Sequence, residues 1–415
     1  MDLLSLSDQI EGVDRHLITF HSEACIHAAR RFAECDLCHN ICPVDAITPY
    51  EPLPTFDQDK CIKCKACLPI CPLGAFIAQD AVLNLLKCVS RFKPHAIEIV
   101  CEKHSASEEG VPNSEVAFQI QGCLAGLGSG AYIALFALGV ESVIARTDLC
   151  ETCKWGALCT PIDSQIKDAR TFLGAWEWEG KLSSISELPE NNDHERPLWN
   201  SENLPVSRRD LFRLSSQQSD FTLARGLAGD LEEKQHHPSR NRTRLIASLG
   251  RLIESNPPVQ DIHLENMGFA KINVDETCTA CGACARICPT KALTIESDTK
   301  NKTYRLSFAP ELCIDCGVCL HACMPHSITL ESNPTFEYVF ENSKPITLRE
   351  GSLNRCEACK VWFASHLGEE LCPGCAYRRE NLYGSMIPRD WQPGTMGPYK
   401  PGKQSKEQAP SGTDT

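Results

Sequence analysis

Residues 278–289 read CTACGACARICP, with cysteines at 278, 281, 284 and 288 and a proline closing the run. This C-x2-C-x2-C-x3-C spacing has a chemical reason. Three thiolates on one short loop can curl around a single cubane and hold three of its irons, while the fourth reaches a neighbouring cluster. Proline suits the first turn of a helix, where a backbone N–H has no partner, so the fourth cysteine is expected to begin a helix pointing away. Small residues between the ligands (Gly282, Ala283 and, in a second run, Gly317) let backbone amides approach the sulfurs, and such hydrogen bonds tune a cluster's potential.

The run is one of four. Cys313, Cys316, Cys319 and Cys323 repeat it, with Met324 between the last cysteine and Pro325, so the helix start is expected to shift by one residue there. Cys61, Cys64, Cys67 and Cys71 repeat it with Pro72. The remaining copy, Cys35, Cys38 and Cys42 with Pro43, has Phe32 where its first cysteine should stand. Cys25 lies seven residues further upstream. It is expected to supply the missing ligand if the intervening chain loops back, because a straight helix of two to three turns would carry it roughly 15 Å away. The alternatives are a three-iron cluster, a solvent-ligated iron, or Cys25 as a buried apolar residue. Four zinc sites are disfavoured, since zinc seldom uses a C-x2-C-x2-C run.

Paired in this way, residues 25–80 and 270–332 resemble bacterial two-cluster ferredoxins, twice over. The resemblance implies crossed ligand sets. Cys278, Cys281, Cys284 and Cys323 would hold one [4Fe-4S] cluster, and Cys288, Cys313, Cys316 and Cys319 another. Cys42, Cys61, Cys64 and Cys67 would hold a third. Cys35, Cys38 and Cys71, with Cys25, would hold the fourth, which becomes [3Fe-4S] if Cys25 does not ligate.

Between the pairs, HAIEIVC (95–101) and EVAFQIQGC (115–123) read as strands, SGAYIALFALGV (129–140) as a buried helix and ESVIARTDLC (141–150) as a strand. That is a βαβ unit with parallel strands, whose carboxyl ends collect ligands. Cys101, Cys123 and Cys150 fall at strand ends and should converge with Cys153. The pattern resembles the small delta subunit of hydrogenases linked to heterodisulfide reductase, which implies a [2Fe-2S] cluster. Zinc and a set of buried structural thiols are the alternatives, Cys159 is a substitute ligand, and Cys88 reads as a core residue. Further on, Cys356, Cys359, Cys372 and Cys375 form two C-x2-C knuckles twelve residues apart, the pattern of a zinc ribbon, with iron in the same cage as the alternative.

The 415-residue chain is therefore expected to be α+β and multidomain. Its expected parts are a dicluster module at 1–92, an α/β lobe at 93–175, a linker with one amphipathic helix (240–255) at 176–262, a second dicluster module at 263–335, a zinc-ribbon-like lobe at 336–387 and a disordered tail at 388–415. The net charge of -13 weighs against nucleic acid and anionic membranes as partners, since both call for a basic face. The uncharged run Gly122–Val140 reads as a buried turn and helix, not a membrane span. Twenty-six cysteines in tight arrays, with no apolar export segment at the start, point to metal ligation in a reducing cytoplasm. SRRDLFR (207–213) resembles a twin-arginine signal core, but it lies mid-chain and reads as surface charge; His236 and His237 read as solvated.

No constellation for substrate chemistry is found, and GLGSG (126–130) lacks the spacing of a dinucleotide fingerprint. The expected function is that of a polyferredoxin, relaying single electrons in anaerobic or microaerobic metabolism. The family resemblance implies a hydrogenase, formate dehydrogenase or molybdenum reductase as redox partner. An accessory or maturation factor for such an enzyme is the alternative, and a redox-sensing regulator the third reading.

Overall fold

The computed structural model describes residues 17–29, 33–49, 53–105, 108–188, 194–202, 226–227, 238–341, 344–365 and 368–380. Phe32, the 207–213 motif, His236, His237 and the tail from 388 lie outside them.

The middle lobe is a five-stranded sheet in the order Leu182–Ile185, Ser142–Arg146, Ala96–Cys101, Val116–Ile120, Leu198–Asn200. Every pairing is parallel. A parallel sheet needs both faces covered, and the central strands accordingly bury Ile97, Ile99, Val100, Ala117, Phe118 and Val143. The helix Ser129–Ala137 is buried nearly all round, as an apolar helix must be, and the expected βαβ unit is present.

Three boundaries differ from the sequence reading. The helix Ala81–Phe92, capped by the Asp80 side chain accepting from the Val82 N–H, packs Leu85 and Leu86 into the middle core and leaves the N-terminal module. Two strands of the stretch read as linker, LSSI and LWN, complete the sheet; each carries only two apolar residues, too few to stand out from polar surroundings. The helix Phe336–Phe340 buries Phe336 and Val339 in the middle core, and the strand Ile346–Ser352 extends the C-terminal hairpin, so the ribbon proper begins near Leu353.

The two cluster modules are variations on one plan. Thr19–Phe20 pairs antiparallel with Phe76–Ile77, as Lys271–Val274 pairs with Ile328–Glu331. Where the C-terminal module has the long hairpin Leu293–Asp298 and Thr303–Phe308, the described residues of the N-terminal one show a bridge from Ile47 to Phe56.

The expected amphipathic helix forms at Arg240–Ser255 and joins all three lobes. Ser239 caps it and donates its own N–H to the Pro72 carbonyl. Asn241 accepts from the Gly130 N–H, Arg244 pairs with Asp80 at 2.8 Å, and Arg251 donates to the Ala137 carbonyl. Arg242 donates to the carbonyls of Glu311 and Cys313 and lies 3.4 Å over the Phe269 ring. No helix among the described residues is long and apolar enough to cross a membrane.

Candidate iron–sulfur and metal centres

In all three complete runs the backbone turns left-handed at the second and fourth residues after the first cysteine. Those residues are Lys63 and Lys65 (φ 58 and 67), Ala280 and Gly282 (φ 54 and 68), Asp315 and Gly317 (φ 51 and 68). Alternating handedness aims successive amides at one point, an anion-binding nest. Asp45, Gly74, Lys291 and His326, each three residues after a fourth cysteine, are also left-handed, so this part of the repeat extends to the incomplete copy. Glycine announces three of these positions, Gly74, Gly282 and Gly317, whereas the three lysines carry no such signal.

The fourth cysteine ends a short helix instead of beginning one. Ala283–Ile287 stops at Cys288 and Cys67–Ile70 at Cys71, both with extended ψ (117° and 115°). A residue before proline is pushed out of the helical region, which explains the reversal. Met324 causes no shift: His326 closes the same turn on the Cys323 carbonyl as Lys291 does on Cys288.

The thiols gather in the crossed sets. Burial first, with Cys71 and Cys25 close by adding to it, raises the pKa of Cys35 to about 11 and that of Cys38 to about 12. Burial likewise raises Cys64 to about 11, with Cys42 and Cys61 adding to it. In the C-terminal module, burial followed by Cys278, Cys281 and Cys323 raises Cys284, and burial followed by Cys313, Cys316 and Cys288 raises Cys319. Four thiols gathered this closely, most of them buried or half-buried, cannot ionise together without a compensating cation, so the donor chemistry fits a metal cluster. Backbone amides already point at sulfur: Ala46 N to Cys42 Sγ at 3.3 Å, Lys63 N to Cys61 Sγ at 3.4 Å and Ala75 N to Cys71 Sγ at 3.3 Å.

Cys25 falls in with the incomplete copy. A helix is described over Ile26–Ala29, and His27 Nε2 bonds the Cys35 carbonyl at 2.8 Å, tying the segment to the incomplete copy. Cys25, Cys35, Cys38 and Cys71 line one small cavity, just as Cys288, Cys313, Cys316 and Cys319 line another in the complete module.

Cys101, Cys123, Cys150 and Cys153 converge at the carboxyl edge of the middle sheet: after burial, Cys153 raises the pKa of Cys101, Cys101 and Cys153 raise that of Cys123, and Cys159, Cys101, Cys123 and Cys153 raise that of Cys150. Cys159 sits beside Cys150 and Asp163, at the start of the helix Cys159–Gly174. Cys88 is fully buried, its thiol against the Ser201 carbonyl. Two features fit an acceptor-rich, negatively charged group at the four converging thiols. The Trp155 N–H reaches Cys153 Sγ at 3.4 Å, as Lys63 does at Cys61. The fully buried Tyr132 hydroxyl, near Cys123 and Cys150, has no hydrogen-bond partner among the described residues.

The ribbon is gathered more tightly. Its four Sγ atoms lie within 4.8 Å of one another. A tetrahedral metal with bonds of about 2.3 Å holds sulfurs roughly 3.8 Å apart, whereas a cubane holds its thiolates farther apart. The amides of Cys359 and Cys372 stabilise the Cys356 thiolate and lower its pKa to about 6. The lobe docks through Ala364, whose N–H donates to the Thr279 carbonyl inside the 278–288 run.

Two family comparisons bear on these centres. A 4Fe-4S dicluster domain matches residues 277–328 and a 4Fe-4S binding domain matches residues 54–77. The chain carries ferredoxin-type iron–sulfur domains. An uncharacterised ferredoxin of Methanocaldococcus jannaschii is 37% identical over 71 residues, 16% of this chain and 46% of that protein. A protein of Escherichia coli K12 named for electron transport is 47% identical over 53 residues, 12% of this chain and 34% of that protein. The chain thus spans less than half the length of these curated relatives.

Proposed function

We propose that the chain is a multi-centre electron relay. Four [4Fe-4S] clusters would be held by the crossed sets, a further iron–sulfur centre by Cys101, Cys123, Cys150 and Cys153, and a structural zinc by Cys356, Cys359, Cys372 and Cys375. Bound clusters would supply one-electron storage with little rearrangement. The chain's own residues hold them close, cover them and donate amides to their sulfurs.

The observation that carries this reading is that neighbouring sets abut across lobes as well as within them. Ile26, Ala33 and Val318 pack into one buried group, with Cys35 from one module and Cys316 from the other against it. Cys64 and Cys123 share the middle core. The path would run from the Cys278 set through the Cys313 and Cys35 sets to the Cys61 set and the middle lobe. A soluble oxidoreductase of hydrogenase, formate dehydrogenase or molybdenum type in a reducing cytoplasm is the proposed partner.

The test is iron, sulfide and zinc per chain on anaerobically purified protein, with EPR of the reduced state. About sixteen iron from four cubanes, a further increment from the middle site and one zinc are expected, with reduced centres broadening one another's signals. Little iron and several zincs would overturn the relay. Cys356→Ser should remove the zinc and leave the iron count unchanged. Loss of iron instead would assign iron to the ribbon.

A further inference from the structure

Lys65 follows Cys64 in the chain, reaches Gln121, two residues before Cys123, and is only 3% exposed. Its ammonium donates to Gln121 Oε1 at 2.7 Å and to the Gln79 carbonyl at 3.3 Å. No carboxylate among the described residues forms an ion pair with it; Glu202, Glu102 and Asp80 favour its charge only from a distance. A buried cation without a contact anion is costly. The glycines opposite explain how the loop reaches so far in. A Cβ on Gly126 would meet Lys65 Cβ at 2.9 Å, and Gly122, at φ +86°, lies against Lys65 Cδ and the Cys64 carbonyl. The glycine-rich turn therefore seats the cluster loop of one lobe against the thiols of the next.

We infer that Lys65 is the counter-cation shared by the Cys42/Cys61/Cys64/Cys67 site and the Cys101/Cys123/Cys150/Cys153 site, coupling their potentials. This rests on the proposal that both sets hold iron–sulfur clusters. Thiolate-ligated clusters are negatively charged, and two of them side by side repel; a cation between them favours the reduced form of each. Lys63, Lys103 and Lys154 join Lys65 around a polar cavity here. A free anion fits that cavity less well, because the Glu102 carboxylate already lines it and pairs with Lys103.

The experiment is an EPR-monitored titration of the iron-loaded full chain with dithionite as reductant. Each centre takes up one electron, and no bond to Lys65 forms or breaks. In Lys65→Gln both centres should need at least a tenfold greater driving ratio to be reduced, about 59 mV for one electron. Iron and sulfide should stay at wild-type levels, and Lys65→Arg should recover most of the shift. A shift confined to one centre, or to neither, overturns the inference. If Lys65→Gln sheds iron, the decision falls to Lys65→Arg, which keeps the charge: wild-type iron with both potentials near wild type supports the inference, and any other result overturns it. A shift that appears in the wild type only with added inorganic phosphate would overturn it in favour of an anion site. Failure of the underlying reading is separate: Cys123→Ser would then leave the iron count unchanged.

Discussion

Cys25→Ser is expected to cost one of the four cubanes. The iron count should fall from about sixteen in the two modules toward twelve, or to about fifteen with a three-iron EPR signal in the oxidised protein. The cause is geometric. Cys25 closes the ring of four thiols around its cavity, and nothing else in that lining is a thiol beyond Cys35, Cys38 and Cys71. Cys25→Ala should do the same, which excludes ligation by the serine oxygen as a confusing outcome. Unchanged iron, sulfide and spectrum in both variants would make Cys25 an ordinary buried residue. Phe32 would then mark a site with three protein ligands.

The grouping of the thiols is legible in spacing and resemblance because a cubane demands both residue type and interval. Cys278, Cys281 and Cys284 offer no other sensible chemistry. The two C-terminal knuckles show the same dependence on interval, and their four thiols do come together. What spacing could not give was the company the sites keep. Val318 and Ile26 are ordinary apolar residues 292 positions apart in sequence, and nothing local says that they meet. The glycines of the 122–130 stretch were read only as a turn before a buried helix. Their use is tertiary: Gly126 admits Lys65, and Gly128 and Gly130 admit Asn241, so each is small because something distant must come close. The strands LSSI and LWN were hidden by composition. Their pairing is imposed by the sheet they complete, since edge strands of a parallel sheet need little apolar content of their own.

A buried charge network was missed entirely, and it carries the other large expected effect. Arg146→Met should destabilise the middle lobe by about 3–5 kcal/mol, the scale for removing one partner of a buried ion pair. The Arg146 and Glu98 side chains are both fully buried and meet at 3.0 Å. Arg196 holds the same carboxylate at 2.7 Å, and Arg146 also forks onto Asp148 at 2.8 and 2.9 Å. His104 completes it at 3.1 Å from Asp148. Without Arg146, Glu98 would keep Arg196 and Asp148 would keep His104, each carboxylate losing a guanidinium in a dry interior. Denaturant unfolding followed by tryptophan fluorescence reads this, because Trp155, Trp176, Trp178 and Trp199 all pack in or against the middle core; an unchanged midpoint would sink the prediction. The sign with pH follows. Burial pushes the Asp148 carboxyl up, but hydrogen bonds from His104 and Arg146 outweigh it and hold it well below the ordinary range. A lowered folded pKa gives stability that is present at neutral pH and is lost as the pH falls below about 4. The network also reaches the thiols: Glu98 lies on the strand that ends in Cys101, and Asp148 lies two residues before Cys150. Arg146→Met should therefore loosen the turn that presents Cys150 and lower the iron retained by the middle lobe, while the four cubanes of the flanking modules stay loaded.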